Sequence, residues 1–424
     1  MIERLKKIYH KYSDTWLVRL FGKMYRNGFF ISNYMAYLRM KRLSEKKSPG
    51  DRPAEVLFLC QYPPAWNKMK SVFEMMLKDS RFNPKILAVP DNINKPDEKI
   101  YLFFSGIYGR DNVINSYENG TWYDIKKDMP DYVFYQRPYD QYLPKPYKSG
   151  VVSGYSKICH LVYGYLMTET LKDICTNKLF YRNVYMYFAE NTICMEYNIK
   201  RFKISHNKGY RKTLNIGYPV LEYFVKNKTE RKTDNNEFKA LWTPRWSDDK
   251  EAGGSNFLNF KDKIITLVND NTDLSIVFRP HPMTFDHFIS VGKLTREEAD
   301  KYLKLYDEND RLEYNNTAEY VDVFWNTDAL LSDLSSIMVE YFVTGKPVIY
   351  CDTGAKPDEF FEELLKAIYV TKTWEQAEEK LLELKAGIDP LKEEREKKIK
   401  ELLGEDFLHI SERFLEAIYS DYSS

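Results

Sequence analysis

The sequence predicts an α/β protein of two Rossmann-like domains facing a cleft, preceded by a helical, basic N-terminal extension. Three observations predict it. The chain has 424 residues, more than the ~250–300 over which one hydrophobic core stays single. Short apolar runs alternate with helically spaced segments in both halves, the pattern of parallel sheets covered by helices. Between the halves lies VKNKTERKTDNN, residues 225–236, almost devoid of apolar side chains. The expected layout is an extension over 1–48, a first α/β domain over 49–224 and a linker over 225–238. A second α/β domain follows over 239–388, and a helical segment over 389–424 closes the chain. No internal repeat is present.

Composition narrows the function classes. With 43% hydrophobic and 16% aromatic residues the chain is neither disordered nor low-complexity. A formal net charge of +1 argues against a nucleic-acid binder. Cys60, Cys159, Cys175, Cys194 and Cys351 form no CxxC pair and no Cys/His cluster with zinc-like spacing, so a reducing, cytoplasmic compartment is expected.

Near-neutrality conceals a basic N-terminus. Residues 1–48 hold twelve Lys/Arg against three acids, interleaved with Trp16, Leu17, Phe21, Tyr25, Phe29, Phe30, Tyr34 and Tyr37. No stretch reaches ~18 charge-free apolar residues, so it does not span a bilayer. A basic, aromatic, amphipathic segment can lie on an anionic membrane surface; the alternative is a basic helix packed on its own protein.

In the first half, Val56–Cys60 reads as a strand closed by Tyr62-Pro63-Pro64, and residues 65–77 have helical spacing. Residues 85–89 read as another strand, and 91–129 resist assignment. Tyr132–Tyr135, residues 157–162 and residues 213–216 read as further strands, the last ending in Gly217-Tyr218-Pro219. In the second half, residues 240–243 and Leu274–Phe278 are strands, the latter running into Arg279-Pro280-His281-Pro282.

The most informative stretch is NTDALLSDLSSIMVEYFVTGKPVIYC, residues 326–351. An apolar run enters a polar turn, Ser335 and Ser336 stand where a helix begins, and Gly345 and Pro347 end it before a second strand. A helix N-terminus offers unpaired N–H groups and a partial positive charge that suit a phosphate, and two hydroxyls add donors. Glu340, one turn beyond Ser336, is placed to accept from ribose hydroxyls. The plainer alternative is a helix cap and a solvated acid.

Other candidates flank this corner. His281 and Arg279 sit in a loop stiffened by two prolines, fixed in direction toward a pyrophosphate. His160, in KICHLVYGY at the end of a first-domain strand, has the ordinary pKa of a general base, although a lone His in an apolar run is also a common core residue. His206 reads as a loop residue. In LWTPRW, Thr243 and Arg245 leave a strand toward Gly253-Gly254, and Trp246 offers a face for a base. There is no GxGxxG, GxxxxGK[ST] or HExxH motif. Asp248-Asp249 has no further ligands nearby. No metal and no cofactor are expected.

LWTPRW, FRPHP, NIGYP and SDLSSIMVEYFVTGKPVIY, within residues 205–351, together resemble the CDP-glycerol glycerophosphotransferase family, the teichoic-acid polymerases and primases. VLFLCQYPPAWNKMKSVFEMM, PDYVFYQRPYD and KICHLVYGY are similar to the N-terminal domain of capsule-type members. The resemblance implies a GT-B fold and inverting transfer of a polyol phosphate from a CDP donor to a hydroxyl of a lipid-linked or polymeric acceptor, at the inner face of the membrane. It places the donor on the second domain and the acceptor on the first. It implies that His281 contacts the donor pyrophosphate and assists departure of CMP, and that Ser335 and Ser336 hold phosphate with Glu340 at the ribose; from their own positions Arg279 and Arg245 are expected at the phosphate, and Thr243 and Trp246 at ribose and base. The family's catalytic base lies in a His-Gly-Thr-Pro motif; here the counterpart is His160 followed by Leu-Val-Tyr-Gly, a departure from the pattern. Two rivals stand beside this reading: a glycosyltransferase of the same fold using a CMP- or UDP-sugar, and a non-catalytic membrane-docked scaffold. Association into a homo-oligomer is compatible with either.

Overall fold

A computed structural model describes residues 34–46, 51–162, 164–165, 167–168, 179–230, 237–250, 253–317, 319–404 and 407–424. Most of the basic extension and residues 231–236 of the expected linker lie outside the described residues.

Two parallel sheets organise the chain. The first contains β1 (Ala54–Cys60), β2 (Phe82–Ala88) and β3 (Val113–Asn115). A small antiparallel pair, β4 (Tyr117–Glu118) and β5 (Thr121–Trp122), follows. The sheet resumes with β6 (Tyr132–Tyr135), β7 (Lys157–Leu161), β8 (Val184–Ala189) and β9 (Lys212–Asn215), in the spatial order β3-β2-β1-β6-β7-β8-β9. The second contains β10 (Phe238–Thr243), β11 (Leu274–Phe278), β12 (Leu312–Tyr314), β13 (Ala329–Ser332), β14 (Val348–Cys351) and β15 (Tyr369–Thr371), in the order β12-β11-β10-β13-β14-β15. Each sheet starts at its centre, builds outward on one side, then returns to build on the other. The reversal falls between β1 and β6 in one sheet and between β10 and β13 in the other, the switch points where open α/β sheets bind ligands.

Helices on both faces explain why these strands are apolar runs without alternation. Val56, Phe58 and Cys60 of β1 face one core while Leu57 and Leu59 face another. Leu241 of β10 likewise points away from Ala240 and Trp242. β8, VYMYFA, was not expected; its six buried residues carry no period. β12 and β15 have three residues each, too short to stand out in sequence.

The expected boundaries shift in three places. Val225 and Lys226 complete the helix Pro219–Lys226 rather than begin a linker, and Phe238 already belongs to β10. The last helix, Ile410–Tyr422, is no appendage: Ile410, Phe414, Leu415, Ile418 and Tyr422 join the core of the first sheet. There Asp421 accepts from the hydroxyls of Tyr132 and Tyr185 at 2.6 and 2.8 Å, and from Lys157 and Lys212 at 2.7 and 2.5 Å. At the other end, residues 34–44 form a helix that buries Ala36, Met40 and Leu43 while Tyr34, Met35 and Leu38 stay exposed.

Candidate active site

The switch point of the second sheet assembles the site. At the ends of β10 and β13, Thr243 faces Ser332 in register and donates its hydroxyl to it at 2.8 Å. Thr243 is buried, so its hydroxyl ties strands together and does not meet a ribose, contrary to expectation.

One residue beyond the end of β13, Asp333 organises the loops. It is 1% exposed and accepts from the Arg245 and Asn256 backbone N–H groups at 2.9 and 3.0 Å and from the Asn256 amide at 2.8 Å. Burial raises its pKa to about 6 against the pull of these donors. Nothing in the sequence reading singled it out; a carboxylate closing the strand at a switch point was the available signal. The loop it holds needs both glycines. A Cβ on Gly253, at φ +116°, would press on Leu334 and Arg245, and one on Gly254, at φ +60°, would lie 2.6 Å from the Thr353 side chain.

Arg245, so anchored, turns its guanidinium onto the Leu334 carbonyl at 3.0 Å, beside the serine turn. His281 lies within its electrostatic reach. His281 stays open to solvent, with protein packed around it. Burial and then the Arg245 charge lower its pKa from 6.5 to about 4. The Met283 N–H donates to His281 Nδ1 at 3.2 Å, so the neutral ring carries its proton on Nε2. Trp246 lies half-buried with its ring 6.0 Å from that of His281. Arg279, at the end of β11, donates to Asn315 and to the Thr317 carbonyl and stacks 4.5 Å from the Tyr320 ring. Burial lowers its pKa, opposed by Tyr320, Glu340 and Tyr62.

Ser335 and Ser336 enter the short helix Ile337–Phe342. Ser336 makes no side-chain cap, and Ser335 Oγ receives only a long 3.5 Å approach from the Ile337 N–H. Gly164 of the first sheet's β7 loop comes so near that a Cβ there would stand 3.1 Å from Ser336 Oγ, so the two halves meet at this corner.

Glu340 corrects the sequence reading. It is 1% exposed, and its carboxylate pairs with Lys68 while accepting from the hydroxyls of Tyr218 at 3.1 Å and Tyr320 at 2.7 Å. With these partners it bridges the halves and is not presented to a ribose. Burial lowers the Lys68 pKa, and Glu340 counters it.

His160 is likewise misplaced for its expected role. It is 1% exposed, its Nε2 is 3.3 Å from the Tyr181 hydroxyl, and Phe180, Tyr181 and Tyr187 surround the ring. An imidazole so enclosed does not reach an acceptor hydroxyl. His206 sits in the short helix Lys203–Asn207 rather than in a loop.

The opposite wall comes from the first switch point. Tyr62 follows β1 and Arg137 follows β6, with the guanidinium 4.9 Å from the Tyr62 ring. The Tyr62 phenol lies within electrostatic reach of Arg279 across the crevice. These residues escaped the sequence reading although their signal was visible: Gln61-Tyr62-Pro63, Gln136-Arg137-Pro138 and Phe278-Arg279-Pro280 each place Tyr or Arg before a proline at a strand end.

Two Rossmann-like lobes with paired switch points across one crevice define a GT-B type enzyme. Similar solved structures agree with that fold. The wall teichoic acid polymerase TagF is 13% identical, covering 96% of this chain and 98% of that one with a TM-score of 0.56. A putative UDP-N-acetylglucosamine 2-epimerase from Listeria monocytogenes is 11% identical, covering 87% and 97% with a TM-score of 0.56. A UDP-GlcNAc 2-epimerase from Neisseria meningitidis bound to UDP-GlcNAc is 14% identical, covering 86% and 99% with a TM-score of 0.55. No curated protein matches the chain. The model of the CDP-glycerol:poly(glycerophosphate) glycerophosphotransferase family matches residues 170–396, more than half of the sequence. The chain belongs to that family and is a CDP-glycerol glycerophosphotransferase-like enzyme.

Proposed function

We propose that the enzyme moves a polyol phosphate, glycerol phosphate in the first instance, from a CDP-activated donor to a hydroxyl of a membrane-associated polymer or lipid-linked acceptor, releasing CMP. The observation that carries this reading is the fixed tautomer of His281. Its Nδ1 is occupied by a backbone donor, so Nε2–H is the group offered to a ligand. In the proposed reaction the acceptor hydroxyl attacks the phosphorus bearing the polyol and gives up its proton to solvent, the bond to the CMP oxygen breaks with CMP keeping the electron pair, and Nε2–H donates a hydrogen bond to that oxygen as charge gathers on it. Arg279, Arg245 and the hydroxyls of Ser335 and Ser336 hold the diphosphate, and Trp246 stacks on the base. His160, enclosed by aromatic rings, takes no part as base in this proposal, and Glu340 and Thr243 act as structural ties.

The membrane side of the proposal rests on residues 1–48. The described end of that segment exposes Tyr34, Met35 and Leu38 beside the exposed Lys41, while Arg39 and Arg42 on the same helix donate to Asn183 and to the Gly154 carbonyl. Such a face suits an anionic lipid surface at the inner side of the membrane. Among the described residues no helix is long and apolar enough to cross a membrane.

Thermal melts test the donor assignment. CDP-glycerol is expected to raise the melting temperature in a concentration-dependent way, and labelled CDP-glycerol to pass its phosphate to the acceptor. A shift with UDP-sugars instead selects the glycosyltransferase reading, and no shift with any nucleotide selects the scaffold. For the extension, protein lacking residues 1–48 is expected to stay in the supernatant when spun with anionic vesicles; its sedimentation with them contradicts the membrane assignment.

A further inference from the structure

We propose that Arg137 and Tyr62, on the first lobe's wall of the crevice, form a subsite for an anionic phosphate of the acceptor, adjacent to the attacking hydroxyl. The inference rests on the glycerophosphotransferase reading above and adds the site that selects the acceptor.

The construction is rigid. The Gln136 side-chain oxygen accepts from the Gln61 and Tyr62 N–H groups at 2.9 and 2.8 Å, and its amide donates to the Tyr62 carbonyl at 2.8 Å. The chain ends leaving β1 and β6 are thereby locked together at the switch point. Gln61 in turn donates to the carbonyls of Pro90 and Tyr142.

On this base stands a cation only partly used. Arg137 lies over the Tyr62 ring and donates through Nη2 to Gln61 at 3.0 Å and Asp91 at 3.2 Å. Its Nε is buried without a hydrogen-bond partner. The Asp91 carboxylate is 64% exposed, so an arriving anion can displace this water-facing partner. A guanidinium presents a planar fork of donors, the geometry suited to phosphate oxygens.

Position decides which ligand the fork meets. Tyr62 stands within electrostatic reach of both Arg137 and Arg279, while Arg279, Arg245 and the serine turn belong to the opposite lobe. A donor diphosphate seated on the second lobe leaves Arg137 facing whatever enters from the first. A neutral polyol can offer hydroxyl oxygens to Nε but leaves the guanidinium charge unmatched, whereas a phosphodiester supplies both acceptors and a negative charge. That phosphate can come from the polymer's own phosphodiesters or from the diphosphate of a lipid carrier.

Kinetics on Arg137→Gln and Arg137→Lys, each with full-length protein, test the subsite. Three acceptors are compared: a soluble glycoside ending in glycerol phosphate, the same glycoside without phosphate, and a lipid-diphosphate glycoside in vesicles. For Arg137→Gln the KM for a phosphate-bearing acceptor is expected to rise at least tenfold. The neutral acceptor and the CDP-glycerol dissociation constant are expected to change less than twofold, with Arg137→Lys intermediate. A rise confined to the first acceptor identifies the polymer phosphodiester, and one confined to the third identifies the lipid diphosphate. Equal KM changes on all three acceptors, no change on any, or a weakened donor overturns the proposal. Donor binding by the wild type is measured separately, so failure of the enzyme to bind CDP-glycerol sinks the underlying reading and is not confused with failure of the subsite.

Discussion

His281 is useful because it is neutral. Desolvation penalises a protonated imidazole here, and the Arg245 charge adds repulsion, so the ring stays uncharged well below its usual range. Its Nε2–H remains a donor across neutral pH, and the activity of the free enzyme should show no limb near pH 6.5 from this group. The same shift acts on stability. The unfolded chain takes up the proton near 6.5 and the folded one near 4, so the contribution of His281 is present above pH 6.5 and declines as pH falls toward 4. His281→Asn should flatten the dependence of melting temperature on pH in that window. Asp333 runs the other way. Its folded pKa is raised to about 6 from 3.8, so its contribution is complete below 3.8 and is lost as pH rises through 6. Asp333→Asn is expected to remove that loss and to loosen Arg245, seen as weaker CDP-glycerol binding in calorimetry.

At the scale of elements, loops and ties set the positions of these groups. Gly254→Ala places a methyl on the Thr353 side chain in a left-handed conformation. It should cost about 1–3 kcal/mol of stability in denaturant titrations and disturb Arg245 on the adjoining loop. Lys68 and Glu340 join the lobes through a buried pair. Glu340→Leu alone leaves a buried ammonium and should cost about 3–5 kcal/mol, while Lys68→Met with Glu340→Leu should recover much of it. A double-mutant cycle by chemical denaturation checks this; additive single costs would show that the pair does not couple. These elements also mark how far the sequence could be read. β6 and β11 were legible to the residue because a proline or turn brackets an apolar run. The positions of His281, Arg279, Arg245, Ser335 and Ser336 after strands were legible because each stands at a punctuated turn. Glu340 was misread because helical spacing gives direction but not depth. A carboxylate looks alike in sequence whether it faces a ligand or a lysine from another domain, and Lys68 is 272 residues away. His160 was misread for the same reason, its aromatic enclosure coming partly from Phe180, Tyr181 and Tyr187 beyond the strand.

The whole molecule is closed by its C-terminal helix. Asp421 is buried, which would raise its pKa, but Lys157, Lys212 and Tyr132 more than offset this and lower it. Its contribution is therefore present above the unfolded value near 3.8 and is lost as pH falls through the lower folded value. Asp421→Asn should destabilise at pH 7 and lose its difference from wild type in strong acid. Removal of residues 407–424 would strip Ile410, Phe414, Leu415, Ile418 and Tyr422 from the first sheet, and should lower the melting temperature far more than a surface truncation. None of this long-range return was readable, since the helix's apolar face states that it packs and not on which sheet. The central claim, that the two lobes close on a diphosphate whose departing half is met by His281, has a direct measurement. Single-turnover CMP release from CDP-glycerol is compared between wild type and His281→Ala, with donor affinity taken by calorimetry on the same samples. The account predicts release slowed by about 10²–10⁴-fold while donor affinity changes only several-fold. Release at close to the wild-type rate would contradict it.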